Sequence, residues 1–118
     1  MVIHGKEIGF ALTVGASVNI AKLCPNNDIS RIDEVIGSDY VSVVETTSKL
    51  MRWLNDGYVG LEKLAGREAA RITDEEIMLL TPKELTDVTQ HLFGVLRSDS
   101  KPEIEVESKN AEEGAQAS

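Results

Sequence analysis

The residue types best suited to metal binding or nucleophilic chemistry in this chain are two histidines and one cysteine. His4 falls in a tight polar turn near the amino terminus, and His91 falls in the last helix that the sequence predicts. Zinc and iron sites need several His, Cys or carboxylate ligands at characteristic spacings, and neither histidine has a second ligand nearby in sequence. Cys24, between Leu23 and Pro25, is typical of a small apolar residue that fills a helix end. These residues favour structural roles, and we expect no metal and no cofactor.

Carboxylate pairs suggest a second kind of chemistry, general acid–base catalysis. Asp33 and Glu34 lie on the polar side of a short predicted helix, and residues 74–76 form the acidic first turn of another. Negative charge in a first turn stabilises a helix through its dipole, so the second group needs no catalytic explanation. The amino-terminal glycines lack the spacing of a phosphate-binding loop. The sequence therefore predicts a protein that is not an enzyme.

The composition indicates one small soluble domain. The chain has 118 residues, of which 42% are hydrophobic and 4% aromatic, so we expect a single core of aliphatic side chains. A formal net charge of −8 argues against binding to nucleic acid, which depends on Lys and Arg at phosphates. No apolar run approaches the roughly 18 residues that span a bilayer, so no membrane partner is expected. A single cysteine and no signal-peptide pattern indicate a cytoplasmic protein.

The amino-terminal segment predicts a β-hairpin that leads into a helix. Residues 2–3 form the first predicted strand, residues 4–7 the turn and residues 8–13 the second strand. Apolar residues alternate along the second strand, which predicts a buried face that includes Phe10 and Leu12. Because a two-stranded ribbon is not stable alone in water, this face is expected to pack on helices.

The rest of the fold is predicted to be mainly α, with five or six helices in one domain over residues 1–97. Apolar residues recur at helical spacing in five segments: 16–23, 29–36, 43–54, 58–65 and 85–96. The run Asn55-Asp56-Gly57 is expected to break or kink the longest of these patterns, and a helical hairpin is expected after it.

Two helix starts and the carboxyl-terminal boundary have strong sequence signals. Capping boxes predict helix starts at Thr73 with Glu76 and at Thr81 with Glu84. Residues 98–118 contain six acids, two lysines and no aromatic residue. Such a segment cannot bury enough apolar surface to offset its chain entropy, so we expect a disordered acidic tail over 98–118.

The amino-terminal motifs resemble those of the small tail assembly chaperones of long-tailed bacteriophages and prophages of Gram-positive bacteria. Three motifs carry the resemblance, in this order: Ile3-x-Gly5-Lys6-Glu7-Ile8, Leu12-Thr13-Val14-Gly15-Ala16 and Ala21-x-Leu23-Cys24-Pro25. Beyond them the similarity is one of size, helical content and a polar carboxyl-terminal extension.

The resemblance implies a binding role in virion morphogenesis without catalysis. A chaperone of this family coats the long, largely helical tape measure protein, prevents its aggregation and recruits tail tube subunits. The tape measure protein and the tail tube protein are therefore the expected partners, in the cytoplasm of the host bacterium. The resemblance also implies a programmed ribosomal frameshift that extends a fraction of the product.

The candidate partner-binding residues are large apolar or aromatic residues near the ends of elements. Phe10 and Leu12, together with Tyr40 and Tyr58, are predicted to form one groove that receives an amphipathic helix of the client. The alternative for these four residues is an ordinary place in the core. Two other classes of function stay open, namely a small acidic regulatory adaptor and a virion structural subunit. An adaptor that mimics nucleic acid needs rows of acids on a folded surface, whereas half of the net charge lies in residues 98–118.

Overall fold

The structure is a computed structural model that describes residues 1–99. Within this range the chain forms a two-stranded antiparallel hairpin, four α-helices and two short 3-10 helices. The elements follow in this order: β1 (Val2–Ile3), β2 (Lys6–Glu7), α1 (Val14–Ala21), the 3-10 helices Pro25–Asn27 and Ile29–Glu34, α2 (Tyr40–Leu64), α3 (Asp74–Met78) and α4 (Pro82–Asp99). The predicted mainly α fold with an amino-terminal hairpin is confirmed.

The hairpin is shorter than predicted, and its second strand lies earlier in the chain. Residues 2–3 pair with residues 6–7, and the two residues between them, His4 and Gly5, have φ angles of 50° and 79°. Two consecutive residues with positive φ give a turn whose twist matches that of paired strands. The hairpin therefore closes at once, and the predicted second strand over residues 8–13 is wrong.

Residues 8–13 form an extended segment that lies along α2. The Ala11 N–H donates to the Leu54 carbonyl at 3.0 Å, so the backbone of α2 holds this segment in place. The predicted alternation is present at its start, where Ile8 and Phe10 are buried and Gly9 and Ala11 are half-buried, whereas Leu12 and Thr13 are both half-buried. An extended backbone has the same two-residue side-chain period whether or not it pairs in a sheet.

Helix α2 is continuous over 25 residues, so the predicted break at residues 55–57 and the helical hairpin after it are wrong. The helix begins after Asp39, whose carboxylate accepts the Ser42 N–H at 2.9 Å. One face of α2 packs against α1 and α4 and supplies the centre of the core: Leu50, Met51 and Leu54, each 0% exposed.

Both predicted capping boxes are present. Thr73 Oγ1 accepts the Glu76 N–H at 3.2 Å, and the Glu76 carboxylate accepts the Thr73 N–H at 2.9 Å. Thr81 and Glu84 repeat this arrangement at 3.1 and 2.9 Å. The spacing predicts an apolar stripe of Leu85, Val88, Leu92, Val95 and Leu96 on helix α4, of which Val95 is half-buried and the other four are buried.

The carboxyl-terminal helix passes the predicted domain boundary. Helix α4 reaches Asp99, the last described residue, so it includes the first two residues that the sequence assigns to the tail. The rest of the predicted disordered tail, residues 100–118, lies outside the described residues. Among the helices of residues 1–99, none has both the length and the apolar character needed to cross a membrane.

Candidate partner-binding groove

Two of the four predicted partner-binding residues lie in or against the core. Phe10 is 9% exposed, and its ring meets the His91 ring edge-on with the centroids 5.8 Å apart. Leu12 is half-buried and packs against the same core. Phe10 and Leu12 therefore have the role that the sequence left open as the alternative, namely packing in the core.

Tyr58 is a structural contact between α2 and the extended segment. Its ring covers Gly9 so closely that a Cβ at position 9 would lie 2.4 Å from the ring carbons. One turn earlier on α2, the Asn55 side-chain amide donates to the Gly9 carbonyl at 2.9 Å. Tyr58 is half-buried as a result of this packing.

Tyr40 is the surface residue among the four, with 62% of its area exposed. It stands 18 positions before Tyr58 in the same helix, which corresponds to about 27 Å along the helix axis. The prediction that all four residues form one groove is therefore wrong. Tyr40 belongs to a different depression, which lies between α2 and α3.

This α2–α3 groove is an open depression of about 710 Å³ between the first half of α2 and the short helix α3. Ten residues line it: Tyr40, Val41, Val44, Glu45, Ser48, Lys49, Arg52, Asp74, Ile77 and Met78. The α2 wall consists of the seven of these at positions 40, 41, 44, 45, 48, 49 and 52, which recur with each helical turn. Its apolar members, Tyr40, Val41 and Val44, lie at the beginning of the helix beside the core face.

Large apolar side chains are exposed on both walls of the groove. Tyr40 and Val41 on α2 are 62% and 63% exposed, and Met78 on α3 is 61% exposed. The bottom of the groove is closed, because Ile77 and Ser48 are 3% and 5% exposed. Because these side chains line one depression, they are candidates for contact with another protein.

The polar groups of the groove are either paired or at its rim. The Ser48 hydroxyl donates to the Val44 carbonyl at 2.7 Å, so its proton is already used within α2. At the end away from Tyr40, Arg52 Nη1 donates to Asp74 Oδ1 at 2.9 Å and joins the two walls. Tyr40 and Arg52 are 12 positions apart, which is about 18 Å on a helix. The α2 wall is therefore about three helical turns long, with its apolar side chains at the Tyr40 end, whereas the five residues of α3 cover only about 7.5 Å.

A second set of exposed apolar residues lies at the opposite end of α2. Val14 and Val18 on α1 are 82% and 47% exposed, and Leu61 and Leu64 on α2 are 49% and 87% exposed. The residues of each pair are one helical turn apart and share a face. Helix α1 begins beside Gly57, in this same half of α2. The chain therefore has exposed apolar surface near both ends of its longest helix.

Cys24 has the structural role that its sequence context predicts. The side chain is 6% exposed, and its thiol donates to the Ile20 carbonyl at 3.4 Å. Burial, followed by the negative charges of Asp28 and Glu34, raises the pKa of the Cys24 thiol. A raised pKa keeps the group protonated, and the protonated form is a poor nucleophile and a poor metal ligand.

The remaining candidates for chemistry are occupied by local contacts. His4 Nε2 lies 2.9 Å from the Glu76 carbonyl oxygen. Arg67 and Arg71 each form an ion pair with a carboxylate of α2, so their charges are not combined in a free basic patch. In the part of the chain that the structure describes, no group of three or more His, Cys, Asp or Glu residues is placed to hold a metal ion.

Most of the α2–α3 groove was missed from the sequence. The helical pattern places Val44 in the buried stripe and gives Val41 and Met78 no role. A usable signal was present in α2, where apolar residues cover more of the helix circumference than one contact face requires. Helix α3 gives no such signal, because its five residues are too few to reveal a period.

Comparisons of the chain with protein-family models, with curated proteins and with solved structures found no match. The role proposed below rests on the α2–α3 groove and on the motifs near the amino terminus.

Proposed function

We propose that this chain is a non-enzymatic tail assembly chaperone of a long-tailed bacteriophage or prophage, acting in the cytoplasm of the host bacterium. In this role it binds the tape measure protein and recruits tail tube subunits during tail morphogenesis. The observation that carries the proposal is the α2–α3 groove, an exposed apolar surface on a small helical domain. The amino-terminal motifs that resemble this chaperone family support the choice of client.

The walls of the groove favour an α-helix as the bound segment of the client. An extended peptide needs partners for its backbone N–H and C=O groups, and both walls are helices whose backbone groups bond internally. A helix satisfies its own backbone and can lie against apolar walls without leaving polar groups unpaired. The α2 wall of about 18 Å can run beside about three turns of such a helix, of which the five residues of α3 flank about one and a half.

The exposed side chains of the groove set the expected strength of binding. Full burial of a large apolar side chain contributes about 1.5–3 kcal/mol. Tyr40, Val41 and Met78 are 61% to 63% exposed, so each has about 1–2 kcal/mol still to gain from a partner. The loss of free motion on association costs about 4 kcal/mol or more. Together the three side chains offer about 3–6 kcal/mol, which does little more than offset that cost, so the groove by itself is expected to give a weak and reversible contact, as a chaperone that is later released requires.

The second apolar set supports a role that joins two partners. Leu64 lies 24 positions after Tyr40, or about 36 Å along α2, so the two surfaces are separate. A helix bound in the α2–α3 groove leaves Val14, Val18, Leu61 and Leu64 uncovered. We expect the tail tube subunit to use this second set.

Co-expression with the long helical tape measure protein tests the proposal. The wild-type chain is expected to keep that protein soluble and to co-purify with it. The substitution Met78→Glu places a charge on one wall of the groove and is expected to abolish the complex without unfolding the domain, because Met78 is 61% exposed. The matched control Leu64→Glu makes the same change at the other end of α2 and is expected to retain the complex.

The outcomes of this test separate the proposed function from its alternatives. A folded wild-type chain that leaves the tape measure protein insoluble would contradict the chaperone function and favour the small acidic adaptor. Large closed rings of the chain alone, measured by size-exclusion chromatography with light scattering, would favour a virion structural subunit. Equal loss of the complex with Met78→Glu and Leu64→Glu would contradict the assignment of the groove.

A further inference from the structure

We propose that residues 103–107 bind back onto the end of helix α4, where Ile104 and Val106 fill an apolar depression between α4 and the second 3-10 helix, Ile29–Glu34. This α4–3-10 depression shares no lining residue with the α2–α3 groove or with the second apolar set, so its occupant is independent of the proposed function.

The α4–3-10 depression has a volume of about 360 Å³ and is lined mainly by apolar side chains, namely Ile29, Ile32, Phe93 and Leu96. Ile32 and Leu96 are buried, with 7% and 6% of their area exposed. Ile29 and Phe93 are only half-buried, although both pack against the core. They therefore keep apolar area that a further side chain can cover.

The polar residues of the lining give no preference for either sign of charge. Asp33 and Arg97 contribute one negative and one positive charge, and Ser30 is neutral. The Ser30 hydroxyl donates to Asp28 Oδ1 at 2.7 Å, so its proton is already used within the 3-10 segment. An occupant is therefore selected by its apolar side chains and by its proximity.

The chain itself supplies such an occupant soon after α4. Ile104 and Val106 are the large apolar residues of the sequence 100–118, and glutamates occupy positions 103, 105 and 107. Alternation of this kind with β-branched residues favours an extended backbone, in which residues two positions apart share a face. One face then carries both apolar side chains and the other carries the three carboxylates. Because only the two side chains enter the depression, water can satisfy the backbone N–H and C=O groups of the segment.

The length of chain between α4 and the apolar pair fits the position of the depression. Phe93, Leu96 and Arg97 belong to the last turns of α4 and share one face of it. Phe93 lies six positions before Asp99, which is about 9 Å along the helix axis. The five residues 100–104 span up to about 16 Å when extended, which is enough for the chain to turn back to Phe93.

Two features favour this depression over the α2–α3 groove for the same segment. Pro102 disfavours a helical backbone at Lys101, so a turn is favoured just before the apolar pair. A short tether also gives an effective concentration in the millimolar range at a site near its attachment, whereas the α2–α3 groove is lined by α2 and α3 alone. A contact of two side chains, which is weak between separate molecules, is therefore populated within one chain.

Nuclear magnetic resonance of the full chain tests this contact. Backbone order parameters (S²) are expected above about 0.6 at residues 104 and 106, and lower at residues 111–118. In the double variant Ile104→Ser with Val106→Ser, the order parameters of residues 103–107 are expected to fall to those of residues 111–118. Amide chemical shifts are expected to change in the same variant at residues 29–33 and 93–97, which surround the depression.

The matched control is the double variant Ala111→Ser with Ala115→Ser, which also replaces two apolar residues by serine but lies beyond residues 103–107. It is expected to leave the order parameters of residues 103–107 and the shifts of residues 29–33 unchanged. A tenfold dilution of the wild-type chain is expected to change neither, because a contact within one chain does not depend on concentration.

Three results would overturn the proposal. Equal order parameters for residues 103–107 and 111–118 in the wild-type chain would show that the segment is not bound. Shift changes on the α2–α3 groove instead of at residues 29–33 and 93–97 would place the segment on another surface. Loss of the ordered state on dilution would identify a second copy of the chain as the source of the bound segment.

Discussion

Asn55 connects three parts of the chain that are distant in sequence, and its replacement is expected to be among the most destabilising single changes. The side chain is 0% exposed. Its amide nitrogen donates to the Gly9 carbonyl at 2.9 Å and to the Ala70 carbonyl at 3.3 Å. Its amide oxygen accepts the Ile72 N–H at 2.8 Å. Helix α2 thereby holds both the extended segment of residues 8–13 and the link that precedes α3.

The substitution Asn55→Leu keeps a similar volume and removes all three hydrogen bonds. A buried backbone group without a partner costs about 1–3 kcal/mol, and the N–H of Ile72 is fully buried while the two carbonyls are partly buried. We therefore expect the free energy of unfolding to fall by about 3 kcal/mol. For a domain of this size that loss lowers the melting temperature by about 12–24 °C.

Urea unfolding followed by circular dichroism measures this loss, and Asn19→Leu is the matched control. Asn19 is exposed on α1, so the same chemical change there is expected to alter stability by no more than about 0.5 kcal/mol. Asn55→Asp is a second variant, in which a buried carboxylate faces two carbonyls. Burial raises the pKa of such a group, so this variant is expected to be closer to the wild type at about pH 4 than at pH 7. A loss below about 1 kcal/mol for Asn55→Leu would refute this account of the Asn55 hydrogen bonds.

Three further predictions concern packing, a buried hydroxyl and pH. Gly57→Ala is expected to destabilise the domain by about 1–2 kcal/mol, because the new Cβ would lie 2.7 Å from the Ala11 carbonyl oxygen of the extended segment. Gly60→Ala is expected to stabilise the domain by about 0.5–1 kcal/mol, because a Cβ there meets no atom within 4 Å and Ala favours a helix over Gly. The reverse order in thermal unfolding would contradict this packing. Thr47→Val is expected to raise the free energy of unfolding by about 1 kcal/mol, since Thr47 Oγ1 is buried with no hydrogen-bond partner among residues 1–99. A loss of stability would show that the hydroxyl is satisfied. The hydrogen bond from the Thr81 N–H lowers the pKa of the Glu84 carboxyl from 4.5. The stability that ionised Glu84 contributes is therefore present above pH 4.5 and is lost as the pH falls through the lowered pKa of the folded state. Glu84→Gln is expected to lose less stability than the wild type on acidification, and equal losses in the two proteins would contradict this.

The candidate site was predicted only in part, and the reason lies in what each residue contacts. Tyr40 meets the sequence criterion of a large aromatic residue near an element end, and it lines an exposed groove. Phe10 and Tyr58 satisfy the same criterion but pack against His91 and Gly9. An aromatic residue has the same sequence signature whether its neighbour is solvent or another segment. That choice depends on contacts between residues far apart in the chain.

Local interactions explain why the sequence determined the helix starts and the mainly α fold. In the boxes of Thr73 with Glu76 and of Thr81 with Glu84, each donor and acceptor lie within three residues of one another, so the pattern is complete in the sequence. The apolar stripe of α4 is likewise set by its spacing alone. These features need no knowledge of the rest of the molecule.

Tertiary contacts decided the course of α2 and the presence of the groove. Asn55-Asp56-Gly57 is a helix-breaking sequence by itself, yet Asn55 bonds to distant backbone groups and Gly57 leaves room for the extended segment, so both residues are favoured inside the helix. The α2–α3 groove is present because the short helix α3 packs beside α2 without covering Tyr40 and Val41, and its own Met78 is exposed. Propensity and spacing are properties of neighbours in sequence, whereas burial and hydrogen bonding of these residues depend on segments up to 46 positions away.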